Sequence, residues 1–163
     1  MARSQRHLRN GLIRKLVIKK MRKLTLNDRF LPHQYIRIEN EVGIKIPDNI
    51  KDFISEYADL SVKENKFINN DGKLFEISQF ITFRMMYDFI QEFKEEGLGK
   101  KLPFAIDNGG WVFCISFDEE SMDKILLYQM EMEWKTKNDA FEFVANSFEE
   151  FINDLQEETV THL

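Results

Sequence analysis

The sequence has one cysteine, three histidines and no long apolar run, and each shortage excludes a class of protein. A single cysteine cannot form an intramolecular disulfide or supply a cysteine-based zinc site. His7, His33 and His162 are scattered along the chain, so a histidine metal centre is not expected. No apolar stretch approaches the ~20 residues that a membrane-spanning helix needs. We therefore expect a cytoplasmic protein that uses no metal and no cofactor.

Common catalytic motifs are also missing. The sequence contains no Walker phosphate loop and no GxGxxG, HExxH, CxxC or GxSxG pattern. Cys114 lies in an apolar segment with no histidine near it in sequence, which favours a buried structural thiol over a nucleophile. His33 precedes a predicted helix, where an exposed or capping role is expected. These observations predict a protein that is not an enzyme.

Charge is divided unequally along the chain. Residues 1–24 carry nine Lys or Arg and no acid, whereas residues 25–163 carry a net charge of −14. Such an asymmetry predicts a basic extension (1–24) followed by one acidic domain (25–163), since 163 residues suffice for one domain. We expect the domain to bind a basic partner, because opposite charges accelerate association.

The basic extension has several interpretations. It can be a nucleic-acid arm, an amphipathic helix at a membrane surface or an acid-free organellar presequence. It can also be a disordered appendage, or the product of translation from a codon upstream of Met21. We expect a disordered appendage or an upstream start, since no fold requires these residues. Binding to a membrane is not expected. Nucleic acid would be bound only through this extension.

Helical periodicity recurs in four segments. Apolar residues at helical spacing predict helices over 31–42, 48–57 (with Asp48 as the cap) and 84–95. A fourth helix is expected to start at Ser147, where Ser147-Phe-Glu-Glu fits a capping box.

Alternating and apolar runs predict the strands. Residues 67–68 and 74–77 flank an Asp-Gly turn and predict a hairpin. The run 111–117 is apolar on both faces and predicts an inner strand. The run 125–134 alternates, which predicts a half-buried antiparallel strand with Leu126, Tyr128, Met130, Met132 and Trp134 on its buried face. Residues 141–145 complete the order ααββαβββα, an α+β fold with a mostly antiparallel β-sheet flanked by helices.

Two loops concentrate polar residues beside these strands. Asn108, Gly109 and Gly110 follow Asp107 and form either a ligand loop or a tight structural turn, and we expect the turn because glycine and Asx residues favour turns. The second loop carries Asp118, Glu119, Glu120 and Asp123, which form either a solvated turn or a cation site, and we expect the turn. Loops beside a rigid sheet often bind partners. The candidate partner-binding residues are Asp107, Asp118, Glu119, Glu120 and Asp123, with Trp111 and Trp134 as aromatic anchors.

Three stretches resemble the SUKH superfamily of Smi/Knr-like domains. Residues 44–57 are similar to its opening Ile-Pro step and second helix, residues 102–117 to its most characteristic stretch, and residues 147–152 to its closing helix. The resemblance covers about residues 28–156. It implies an α+β fold with an antiparallel sheet and flanking helices, which agrees with the predicted order.

The resemblance also implies a function. Bacterial SUKH proteins are mostly immunity proteins, each of which binds and neutralises a cognate polymorphic or contact-dependent toxin, often a nuclease. The hypothesis is therefore an immunity protein that occludes a basic toxin. The alternative is a non-enzymatic regulatory or scaffold protein of the fungal cell-wall-regulator type that acts through protein partners. The sequence leaves the toxin and the oligomeric state open.

Overall fold

The computed structural model describes residue 21, residues 30–130 and residues 132–157 of the chain. In this part, four α-helices and seven β-strands follow one another in the order ααβββαββββα. The helices are α1 (Pro32–Val42), α2 (Asp48–Tyr57), α3 (Phe83–Glu96) and α4 (Phe148–Asn153). The strands are β1 (Lys66–Ile68), β2 (Leu74–Glu76), β3 (Gln79–Phe80), β4 (Lys101–Ile106), β5 (Val112–Ser116), β6 (Ile125–Tyr128) and β7 (Phe141–Ala145).

The strands form a hairpin and a separate sheet. Strands β1 and β2 pair with each other, and the other five form an antiparallel sheet in the order β3-β4-β5-β6-β7. All five residues of the central strand β5 are buried, which confirms the predicted inner strand. The α+β class with flanking helices is likewise confirmed.

Aromatic side chains fill both sides of the sheet. On one face Phe113 of β5 packs against Phe151 of α4, with ring centres 5.3 Å apart. On the other face Tyr128 of β6 meets Phe93 of α3 edge-on, with ring centres 4.9 Å apart. Since helices cover both faces, the sheet needs apolar residues on both sides of its inner strands.

Strands β3 and β4 were not predicted. Lys101–Ile106 contains Pro103, and a proline inside an apolar run argues against a strand. The ladder to β5 passes the proline through a register shift between Pro103 and Ala105. The predicted order therefore lacked two strands.

The prediction for residues 125–134 was wrong in length and in burial pattern. Strand β6 ends at Tyr128, and all four of its residues are buried because both faces are covered. The chain then folds back, and the indole N–H of Trp134 donates to the carbonyl of Gln129 over 3.1 Å. Met132 is 52% exposed instead of buried.

The helix ends follow the sequence with one exception. The Ser147 hydroxyl accepts from Glu150 N at the start of α4, as predicted, and Gly43 ends α1 with φ 80°. Asp48 does not cap α2, because Pro47 occupies the capping position. Asp48 lies in the first turn, where its charge favours the helix dipole.

Met21 lies inside the predicted basic extension and contacts the domain. Its side chain is buried, its N–H donates to the Tyr57 hydroxyl over 3.0 Å, and that hydroxyl donates to the Met21 carbonyl over 3.1 Å. Residues 1–20 lie outside the described part, so the extension stays a prediction.

A buried carboxylate joins α1 to α2. Glu39 is 8% exposed, accepts from the Ile46 N–H over 2.8 Å and lies 3.2 Å from the ammonium group of Lys51. Burial alone would raise the pKa of Glu39, but the hydrogen bond from Ile46 and the charge of Lys51 hold this pKa below its usual value. The carboxylate therefore fixes the start of α2.

The side chain of Phe113 is fully buried and gives the first prediction. Phe113→Ala should lower the free energy of unfolding by about 3–5 kcal/mol, because a cavity would open between β5 and α4. Urea unfolding followed by circular dichroism measures this loss. Phe143→Ala, at an aromatic position that is 43% exposed, is the matched control and should cost less than about 1 kcal/mol. Equal losses for the two variants would contradict the assignment of β5 as the centre of the core.

The depressed pKa of Glu39 predicts a pH dependence. Its unfolded-state pKa is about 4.3, so the charged form stabilises the fold above that pH, and the stabilisation is lost as pH falls through the lower folded-state pKa. Wild type should therefore be more stable than Glu39→Gln at pH 7, and the difference should shrink towards pH 3. Unfolding curves at several pH values test this. A difference that stays constant from pH 7 to pH 3 would contradict the role of the charge.

Candidate partner-binding surface

The sequence-predicted binding residues lie at two opposite ends of the sheet. Asp107 and Trp111 flank the turn between β4 and β5, whereas the four acids from Asp118 to Asp123 lie between β5 and β6. Both turns adjoin β5, one at each end, and a five-residue strand spans roughly 16 Å. The predicted binding residues therefore form two separate clusters, one at each end of β5.

The β4–β5 turn is held by its own acid. Oδ1 of Asp107 accepts from the N–H groups of Gly109 and Trp111, each over 2.9 Å. Gly110 has φ 92°, which suits glycine, and Asn108 is exposed. The Asp107 carboxylate thus stabilises the turn that precedes β5.

Both tryptophans are partly exposed. Trp111 directly precedes β5, and Trp134 lies in the connection between β6 and β7, so both belong to the end of the sheet that carries the β4–β5 turn. Trp134 packs against Tyr128 with ring centres 5.9 Å apart. The candidate anchors are therefore separated from the carboxylates of the β5–β6 turn by the length of a strand.

Asp118 has a structural role. Its Oδ2 lies 2.5 Å from the Lys101 ammonium group, and its Oδ1 accepts from the Lys100 N–H over 2.9 Å. Lys101 is only 8% exposed and also donates to the carbonyl of Leu98 over 2.8 Å. The pair ties the β5–β6 turn to the link between α3 and β4, so much of the charge of Asp118 is compensated within the domain.

The other three acids of this turn face solvent. Glu119 and Glu120 are exposed on a 3-10 turn (Glu119–Ser121), and Asp123 is exposed with φ 70°. Among the described residues, none forms a side-chain hydrogen bond or an ion pair with these carboxylates. They are the acids of the predicted set that are free to meet a partner.

A surface groove of about 300 Å³ lies beside Asp123. It separates the first turns of α2 and α4 from the β5–β6 turn. Buried apolar residues form its floor and polar residues its rim; the lining is Pro47, Asn49, Ile50, Ile115, Asp123, Ser147, Phe148 and Glu149. We call this the α2–α4 groove.

Two residues of the groove were missed by sequence reasoning. The side-chain amide of Asn49 donates to Oε2 of Glu149 over 2.9 Å, although 100 positions separate the two residues. Each lies in the first turn of a helix that was predicted correctly, but no local pattern shows that the two helix starts meet. Only the tertiary fold reveals the pair.

Burial keeps two potentially reactive side chains, Cys114 and Tyr128, in their neutral forms. Cys114 is fully buried in β5, and burial raises the pKa of its thiol, so the thiol is protonated at neutral pH. Burial and the Glu92 carboxylate raise the pKa of Tyr128, whose hydroxyl donates to Glu92 over 2.5 Å. Both groups stay neutral, and both sit inside the packing between the sheet and α3.

Metal-binding and membrane-spanning features were searched in the described part of the chain. Within residues 21, 30–130 and 132–157, no group of three or more His, Cys, Asp or Glu side chains is placed to hold a metal ion. None of the helices described there combines the length and the apolar character needed to cross a membrane.

The fold and its acidic turns belong to a small α+β domain built around one antiparallel sheet. The SMI1 / KNR4 family (SUKH-1) matches residues 33–154, from the first turn of α1 to the end of α4. The chain belongs to this family, which confirms the resemblance seen in the sequence. The matched region includes both turns and the α2–α4 groove. No curated protein and no solved structure matches the chain.

The ion pair of Asp118 predicts a loss of stability. Asp118→Ala should lower the free energy of unfolding by about 2–3 kcal/mol, because it leaves the ammonium group of Lys101 buried without its carboxylate. The loss should stay below that of a fully buried pair, since the Asp118 side chain is 22% exposed. Chemical unfolding measures it. The control Glu119→Ala, one position along the same turn, should change stability by less than about 0.5 kcal/mol; similar values for both variants would exclude the structural role.

Proposed function

We propose that this protein is an immunity protein that binds a basic protein toxin and neutralises it by occlusion, without catalysis. Membership of the SMI1 / KNR4 family (SUKH-1) supports the proposal, together with the immunity role that the SUKH resemblance implies. The observation that carries the proposal is the acidic end of the sheet, where the carboxylates of Glu119, Glu120 and Asp123 are exposed beside the α2–α4 groove.

Charge explains why such a surface suits a toxin that acts on nucleic acid. A nuclease must attract phosphate groups, and its binding face is therefore basic. An acidic protein is steered towards that face and competes with the nucleic acid for it. The net charge of −14 on residues 25–163 favours this encounter.

A stable complex requires more than the charges of one turn. Specific interfaces bury about 1,200–2,000 Å² in total, so the contact must extend over neighbouring elements. We propose that the exposed carboxylates govern the rate of association, while partly buried groups govern dissociation. Trp111 and Trp134 are proposed anchors, with Asp107 at the same end of the sheet. Asp118 contributes indirectly by holding the turn in place.

Charge reversal of the two exposed glutamates tests the proposal. Glu119→Lys/Glu120→Lys should lower the association rate constant for the proposed basic toxin by about tenfold at low salt. The effect should diminish as salt is added, because screening weakens the steering. Stopped-flow kinetics measures the rate, and survival of cells that co-express the toxin measures protection. Asp118 is left unchanged so that the fold stays intact.

The control reverses two charges away from the proposed contact residues. Asp71→Lys/Asp88→Lys alters exposed acids of the β1–β2 turn and of α3, and the association rate should change less than twofold. Equal effects of both double variants would mean that net charge alone acts and would remove the β5–β6 turn as the contact. A wild-type protein that neither binds the toxin nor protects the cells would overturn the immunity function and favour the regulatory alternative.

A further inference from the structure

We propose that the α2–α4 groove binds the side chain of an arginine that the protein partner inserts between α2, α4 and the β5–β6 turn. The inference rests on the proposed function for the existence of a basic partner. It adds a defined subsite on this chain and the chemical group that fills it.

The floor of the groove suits the methylene stem of a long basic side chain. Ile50, Ile115 and Phe148 are buried and apolar, and they come from α2, β5 and α4. Arginine and lysine bury their stems along apolar surface while their charged ends stay with polar groups. The volume of about 300 Å³ lies at the lower end of the range for ligand pockets, so one long side chain can enter the groove.

The rim of the groove carries negative charge that the domain does not neutralise. Asp123 and Glu149 are both on the rim, and no lysine or arginine is among the described residues that line it. The Asp123 carboxylate has no side-chain partner in the described part of the chain. Glu149 accepts a hydrogen bond from Asn49, but an amide leaves its charge in place.

Helix dipoles do not reverse this preference. The first turns of α2 and α4 favour an anion, but Asp48, Glu149 and Glu150 already supply carboxylates there. A further anion would be repelled by these groups, whereas a guanidinium would be attracted by the carboxylates that line the groove. Its planar fork of donors makes charge-assisted hydrogen bonds with carboxylates. The geometry therefore favours arginine.

The two rim charges can be removed without rebuilding the groove. Asp123 has φ 70°, a left-handed conformation that asparagine also tolerates, so Asp123→Asn keeps the turn. Glu149→Gln keeps an oxygen that accepts from Asn49. Glu119→Gln/Glu120→Gln removes two charges from the same turn outside the groove and serves as the matched control.

A titration of the full chain with a minimal probe tests the subsite. The ¹⁵N-labelled protein is titrated with the peptide acetyl-Gly-Arg-Gly-amide while the backbone amide signals are followed by NMR. We expect saturable shifts centred on Asn49, Ile50, Asp123 and Glu149. Asp123→Asn/Glu149→Gln should raise the dissociation constant of the peptide at least fivefold. Glu119→Gln/Glu120→Gln should change it less than twofold. The same peptide with citrulline, which has the shape of arginine without its charge, should not saturate the site.

Three outcomes would overturn the inference. Equal binding of the citrulline peptide would show that charge is not recognised, and equal weakening by both double variants would show that only the overall field acts. Release of amide signals from residues 1–20 as the peptide binds would assign the groove to the chain's own basic segment. The toxin assay separates the two proposals: toxin neutralisation without peptide binding overturns the subsite alone, and peptide binding without toxin binding overturns the immunity function alone.

Discussion

The burial of β5 on both faces is the constraint on which the rest of the structure depends. Its residues, from Val112 to Ser116, have essentially no exposed surface, so each face of the sheet must be covered by other elements. Helix α3 covers one face, while α4 and α2 cover the other. A strand that is covered on both faces has little room for charge, and β4, β5 and β6 contain no acid. The acids next to β5 therefore lie in the turns at its two ends.

Local sequence patterns were sufficient to predict the elements in which buried residues recur at a fixed spacing. Helix α2 buries Ile50, Phe53, Ile54 and Tyr57, the set that its periodicity predicts. Strand β4 was not predicted because it contains Pro103 and because its residues from Leu102 to Ile106 are all apolar, so they show no alternation. Strand β6 was assigned too long because Met130 and Met132 continue its alternation, although the chain leaves the sheet at Gln129. Periodicity identifies a face, but it does not report where pairing stops.

The candidate site was only partly visible in the sequence, and the reason is the distance along the chain between residues that meet. The acids of the β5–β6 turn lie within six positions of the chain and could be singled out. The partner of Asp118, Lys101, lies 17 positions earlier, and the partner of Glu149, Asn49, lies 100 positions earlier. Without these contacts, acids that hold the fold and acids that face solvent cannot be told apart in the sequence. Their roles depend on tertiary neighbours, which composition and spacing do not contain.

The acids of the β5–β6 turn have two different roles, and this difference explains how an acidic surface and a stable fold coexist. Clustered carboxylates repel one another, and a turn that carried four free charges would favour opening. Asp118 removes one charge from this cluster by pairing with the buried Lys101, and it also ties the turn to the start of β4. Glu119, Glu120 and Asp123 can then stay exposed on a rigid support. The ion pair between Asp118 and Lys101 therefore holds the three remaining carboxylates in a fixed arrangement. A binding partner would not have to order the loop first, which lowers the entropic cost of binding.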